Sequence, residues 1–146
     1  MHKPQFFYAS AQDSDTFVMY LVGVVGDWWE KNDAQSFINA IKRAKREGYK
    51  FLHLKINSEG GDVVDGLTIY NELQNSGMHI TTEILGMAAS MAAIIFLAGH
   101  VRVMPDNTLL MLHSVWTTSS GNAEQFRKYA DDLEKFDNAV QNIIRS

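Results

Sequence analysis

A serine, a glycine pair and a histidine are the residues of this chain best suited to acyl-transfer chemistry. Ser90 lies in Gly86-Met-Ala-Ala-Ser-Met-Ala92, between a strand-like run, His79–Leu85, and a helix-like run, Ala92–Ala98. A serine nucleophile needs a sharp strand-to-helix turn, small neighbours and free N–H groups at the helix start to receive negative charge. Small residues around a serine also mark close helix–helix contacts, so the heptapeptide alone leaves both readings open.

Upstream, Ile56-Asn-Ser-Glu-Gly-Gly-Asp62 follows the strand-like run Tyr49–Ile56. Two glycines between a strand and a helix permit backbone conformations closed to other residues and leave their amides uncovered. An ordinary strand–turn–helix connection uses the same residues, with Asp62 starting the next helix. Downstream, Thr108-Leu-Leu-Met-Leu-His113 ends an apolar run on a histidine. That run predicts a mostly buried strand, and His113 at its end is either a base or a hydrogen-bonded structural residue. His2, His53, His79 and His100 carry no comparable context.

Together these segments resemble the Clp-protease family of serine peptidases. The likeness runs from Ile56 to His113: Asn-Ser-x-Gly-Gly, then Gly-x-Ala-Ala-Ser-Met-Ala, then Met-Leu-His, in the family's order and spacing. Gly26-Asp27-Trp28-Trp29, Gly60-Gly-Asp-Val-Val-Asp-Gly66 and His113-Ser-Val-Trp116 with Gly121 are similar to the phage or prophage branch, the head maturation proteases. The resemblance implies Ser90 as nucleophile, His113 as general base and then general acid, and the backbone N–H groups of Gly61 and Met91 as oxyanion donors. It implies no cofactor and no metal. As partners it implies a peptide or protein substrate, further copies of the chain in a ring-type homo-oligomer, and an AAA+ unfoldase or capsid proteins.

Two departures stand out. Glu59 occupies a place where the housekeeping enzymes usually carry proline, which leaves the turn freer and adds a charge near the cleft. The family's triad acid belongs after the handle helix, by spacing beyond Ser146, so a chain cut within or just after that helix is expected. Asp131, Asp132 and Asp137 fall within a helical pattern and do not match the acid motif; Asp106 reads as turn chemistry. No acid is assigned, and weak or no activity is expected.

The elements that must position these groups emerge from periodicity. A tail over 1–14 precedes a strand (16–25), a helix (33–47), a strand (49–56), a helix (63–76) and a strand (79–85). The Ser90 helix, two short strands around Pro105 and a long helix from Asn122 to Arg145 complete the order. Val63, Leu67, Tyr70 and Leu73 mark the expected buried face of the second helix. Phe126, Tyr129, Ala130, Leu133, Phe136, Val140, Ile143 and Ile144 form a stripe along the last one that must be covered. Alternating strands and helices give an α/β class with parallel pairing, and one domain over 15–146. The resemblance sharpens the fold to the Clp-protease/crotonase-like ββα superhelix with a C-terminal handle-type helix, which interdigitates between rings in the family. Trp28 and Trp29 are expected to pack or to touch a subunit.

The 146 residues are 46% hydrophobic and carry a net charge of −4, enough for one core and against nucleic acid or an anionic membrane as partner. The densest basic stretch, Lys42-Arg-Ala-Lys-Arg46, reads as a solvated helix face. Zero cysteines exclude disulfides and thiolate catalysis, and with no signal peptide they fit a cytoplasmic location. The uncharged run Ile84–Gly99 is too short to span a bilayer. A serine endopeptidase is the leading reading. A non-catalytic assembly or scaffold subunit and a crotonase-type acyl-CoA enzyme compete with it; a Ser/Lys dyad fits less well, because motif places His113 and no lysine.

Overall fold

The computed structural model describes residues 8–9 and 15–146. Residues 1–7 and 10–14, His2 among them, lie outside that range. Within the expected tail, Tyr8–Ala9 form strand β1, antiparallel to β2 (Thr16–Val25). The elements then run α1 (Ala34–Arg46), β3 (Phe51–Gly61), α2 (Val63–Gln74), β4 (His79–Ala89), α3 (Met91–Phe96), β5 (Val101–Val103), β6 (Leu109–Met111) and α4 (Ala123–Arg145). The sheet order is β1-β2-β3-β4-β5, with β6 pairing the far end of β4. All pairs but β1–β2 are parallel.

Side chains alternate across the central strands, as a pleated sheet covered on one face requires. Phe17, Met19 and Leu21, Leu52, Leu54 and Ile56, and Ile80 and Ile84 are fully buried against Phe37, Ile41, Ile69, Leu73 and Ile95 from the helices. On the opposite face Val22, Phe51 and Leu85 are exposed. There His53 Nε2 sits 2.8 Å from a Glu83 carboxylate oxygen, in keeping with its less apolar position.

Asp33 and Asp62 cap α1 and α2, each carboxylate accepting from the amide three residues on. The buried face of α2 differs from the expected one. Ile69 and Leu73 point into the main core, Val63 and Leu67 pack against a second cluster built on Met91, Ile94 and Val140, Gly66 abuts Met91 of that cluster, and Tyr70 touches both. A helix wedged between α1 and α3 presents two apolar faces rather than one stripe.

Strands β3 and β4 run past their expected ends, to Gly61 and Ala89. Register jumps mark the extensions. Ile56 pairs with Ile84 but Ser58 with Ala88, and Val22 pairs with Asn57 but Val24 with Gly60. Asn side chains fill both irregularities: Asn57 Oδ1 accepts from Met87 N at 3.2 Å, and buried Asn32 Nδ2 donates to Val22 O at 2.6 Å. Bulges of this kind bend a strand and re-aim the residues beyond the bend.

The run ending at His113 is the clearest correction. Only Leu109–Met111 form strand, and instead of being buried Leu109 is 66% and Met111 50% exposed. This strand pairs only with Met87–Ala89 and has no partner on its other edge among the described residues. Trp28 and Trp29 are exposed and stacked on each other, with ring centroids 4.1 Å apart. No helix among the described residues is long and apolar enough to cross a membrane.

Candidate active site

Ser90 stands between β4 and α3 with φ 54° and ψ −123°, a conformation that L side chains avoid. Three contacts hold it there. Its N–H donates to Met111 O of β6 at 2.9 Å, its carbonyl accepts from Ala93 N and Ile94 N in α3, and Gly60 of β3 presses against it. A Cβ at Gly60 would stand 2.6 Å from Ala89 O, 2.7 Å from Ser90 Cβ and 3.0 Å from Met91 N. Gly60 has φ +94°, so both its shape and its backbone exclude a side chain. Gly61 is packed as closely on β2: its Cβ would fall 2.9 Å from Val25 N and still nearer Val25 O.

The glycine pair is thus the surface on which the elbow rests. Ser58, buried beside it, receives the Gly60 N–H on its Oγ at 3.1 Å. Gly66 of α2 performs a similar service from below, since a Cβ there would meet the Met91 side chain. These small residues explain how a strained serine stays in place: three elements close on it with no room for another backbone path.

A cleft of about 340 Å³ opens over the elbow. Ser90, Met91, Gly60, Gly61, Glu59 and His113 share its wall, with Leu112, Val115, Trp116 and Val140 completing the apolar side. All four residues singled out for chemistry therefore meet in one cavity, although nearly thirty residues of chain separate Gly61 from Ser90. Ser90 is half-buried and His113 exposed. Among the described residues Ser90 Oγ and His113 Nε2 share no hydrogen bond. His53, His79 and His100 lie elsewhere; the last two stack on each other with centroids 5.0 Å apart.

His113 Nδ1 is 2.7 Å from Ser114 O. A carbonyl oxygen only accepts, so Nδ1 is the donor in this contact, and in a neutral ring that makes Nε2 the acceptor. Asp137 of α4 enters here. Its Oδ1 accepts the Val115 N–H at 2.7 Å, fixing the segment after His113 to the last helix. Helical periodicity offers no reason to single out Asp137, because its partner is a backbone group 22 residues away. Val140, the one buried residue of α4, adds an apolar contact with Met91 and Ile94.

The sequence profile of the Clp protease family matches residues 17–146. The chain is 30% identical over 131 residues to the ATP-dependent Clp protease proteolytic subunit of Carsonella ruddii (strain PV), an alignment covering 88% of this chain and 66% of that protein. It is 36% identical over 86 residues to the ATP-dependent Clp protease proteolytic subunit 1 of Synechococcus sp. (strain CC9902), covering 58% of this chain and 44% of that one. The aligned part is at most about two thirds of these curated relatives. With parallel strands carrying helices between them and a profile match over nearly all described residues, the chain belongs to the Clp protease family.

Proposed function

We propose that this protein is a serine endopeptidase in which Ser90 attacks a peptide carbonyl and His113 carries the proton. The observation that supports it most is the meeting of a strained elbow serine, a histidine whose Nδ1 is held by a backbone carbonyl and the backbone of Gly61 and Met91 in one cleft. A serine hydroxyl is a weak nucleophile until an imidazole takes its proton. His113 Nε2 would accept the Ser90 Oγ proton as Oγ bonds to the carbonyl carbon. It would then pass that proton to the leaving amine as the C–N bond breaks, leaving an acyl-enzyme for water to hydrolyse. The N–H groups of Gly61 and Met91 are the proposed oxyanion donors; removing one such donor costs about 10²–10³ in rate.

Among the described residues no carboxylate bonds the His113 imidazole directly. The hydrogen bond between such a nucleophile and its base tightens when substrate binds. Gly26-Asp-Trp-Trp29 and His113-Ser-Val-Trp116 favour the phage branch and, with it, capsid-type protein substrates. The exposed apolar β6 and α4 favour a homo-oligomer, ring-type as the family implies.

A fluorophosphonate probe tests the assignment. Time-dependent labelling of wild type, abolished in Ser90→Ala and strongly slowed in His113→Ala, is the expected result, with peptide hydrolysis following the same order. Specific labelling of Ser90 would also exclude a crotonase-type acyl-CoA enzyme. Exposure of His113 favours one second reading, a scaffold subunit that keeps the fold without turnover. Absence of labelling in a well-folded assembly establishes that reading instead.

A further inference from the structure

The peptide unit joining Ser114 to Val115 is held at both ends. Its carbonyl oxygen accepts from His113 Nδ1 at 2.7 Å, and its N–H donates to Asp137 Oδ1 at 2.7 Å. One rigid, planar group therefore connects a carboxylate on α4 to the His113 imidazole. A carboxylate accepting the N–H makes a short, charge-assisted bond and polarises the amide, which strengthens the same amide's carbonyl as an acceptor.

We propose that Asp137 is a positioning residue for His113, acting through the Ser114–Val115 peptide. The inference rests on the serine-peptidase reading for its effect on rate, but not for the hydrogen-bond chain itself. Fixing the peptide plane fixes where the Ser114 carbonyl points. That in turn favours the Nδ1–H tautomer and leaves Nε2 as the proton acceptor of the neutral ring. A directly bonded acid does this in a Ser-His-Asp triad; here the carboxylate and the imidazole are separated by one amide.

The rest of α4 is arranged to hold the carboxylate in place. Val140 lies three residues on, 6% exposed and packed on Met91 and Ile94, so the helix turn bearing Asp137 is docked on the helix that begins at the serine elbow. Val115 packs against that same cluster. Both flanks of the bond are thereby fixed, and Asp137 is itself partly buried, where such a bond is stronger than in water.

Three variants of the whole chain and one spectrum test this. Long-range ¹H–¹⁵N spectra in mildly alkaline buffer should show His113 with the proton on Nδ1 in wild type. In Asp137→Ala the population should move toward Nε2–H, the form that unconstrained imidazoles prefer. Fluorophosphonate labelling of Ser90 should slow by roughly 10–100-fold in D137A, the scale seen when the outer-shell partner of a metal-ligating imidazole is removed. Asp137→Asn keeps an acceptor oxygen without the charge and should fall between the two, nearer wild type. Asp137→Leu should match D137A. An Nε2–H signal in wild type, an unchanged signal in D137A, or equal losses in D137N and D137A overturn the proposal. Should D137A fail to fold, hydrogen exchange of the Val115 amide in wild type decides: protection supports the latch, and exchange at an open-loop rate overturns it. If wild type never labels, the peptidase reading falls, while the tautomer spectrum still decides the role of Asp137.

Discussion

At the scale of single residues, strain and missing side chains organise the site. Ser90 occupies φ 54° because Met111 O, Gly60 and the first turn of α3 leave it no alternative. Such a conformation costs of order 1–3 kcal/mol. Ser90→Gly should therefore raise stability by about 1 kcal/mol, net of glycine's own entropy cost, while abolishing probe labelling. Urea denaturation beside the labelling assay reads both effects. Gly60→Ala should do the opposite. Its Cβ has backbone within 2.6 Å and φ is +94°, so a loss of about 1–3 kcal/mol is expected, with labelling slowed as the elbow shifts.

At the scale of elements, α1 is held by its cap and α4 by Val140, Ile143 and Asp137. Partial burial of the Asp33 carboxyl works to raise its pKa, but bonds from the Ser36 hydroxyl and amide outweigh that and leave it below the usual carboxylate value. A carboxyl depressed in the folded state stabilises above its unfolded pKa and loses that contribution as pH falls toward the folded value. Asp33→Ala should cost about 1 kcal/mol at neutral pH, and the gap to wild type should narrow in acid. Thermal melts at several pH values measure it. Helix α4 meets the body mainly through Val140, Ile143 and Asp137. Val140→Asp should release it, so limited proteolysis should cut within 123–145 while β2, β3 and β4 stay protected in hydrogen exchange.

At the scale of the whole molecule, apolar surface is distributed unevenly. The helical face of the sheet is sealed, but Leu109, Met111, Trp116 at 72% exposure, Phe126 and Ile144 are open to solvent. Exposed apolar surface of that kind is suited to cover by another protein surface. Sedimentation velocity should show concentration-dependent association, and Leu109→Asp should shift it toward monomer without changing the melting of the sheet core. If L109D and wild type sediment alike at every concentration, β6 is not a subunit contact.

Much of the fold was readable from periodicity, since strict alternation in β2, β3 and β4 and the caps at Asp33 and Asp62 depend on neighbours a few residues away. Ser90, Gly60, Gly61 and His113 were nameable for a related reason: an elbow needs small residues beside it, and these are local demands on residue type. Three features escaped. The strands' extension to Gly61 and Ala89 rests on Asn57 and Asn32 filling gaps in register. The exposure of β6 rests on its place at an edge, where four apolar residues look the same as in a core. The link from Asp137 to Val115 joins a helix side chain to a backbone N–H, and an N–H is carried by nearly every residue. Sequence determined which residues were capable of chemistry. Only the tertiary structure decided which partner each of them meets, because long-range backbone contacts leave no mark on residue type.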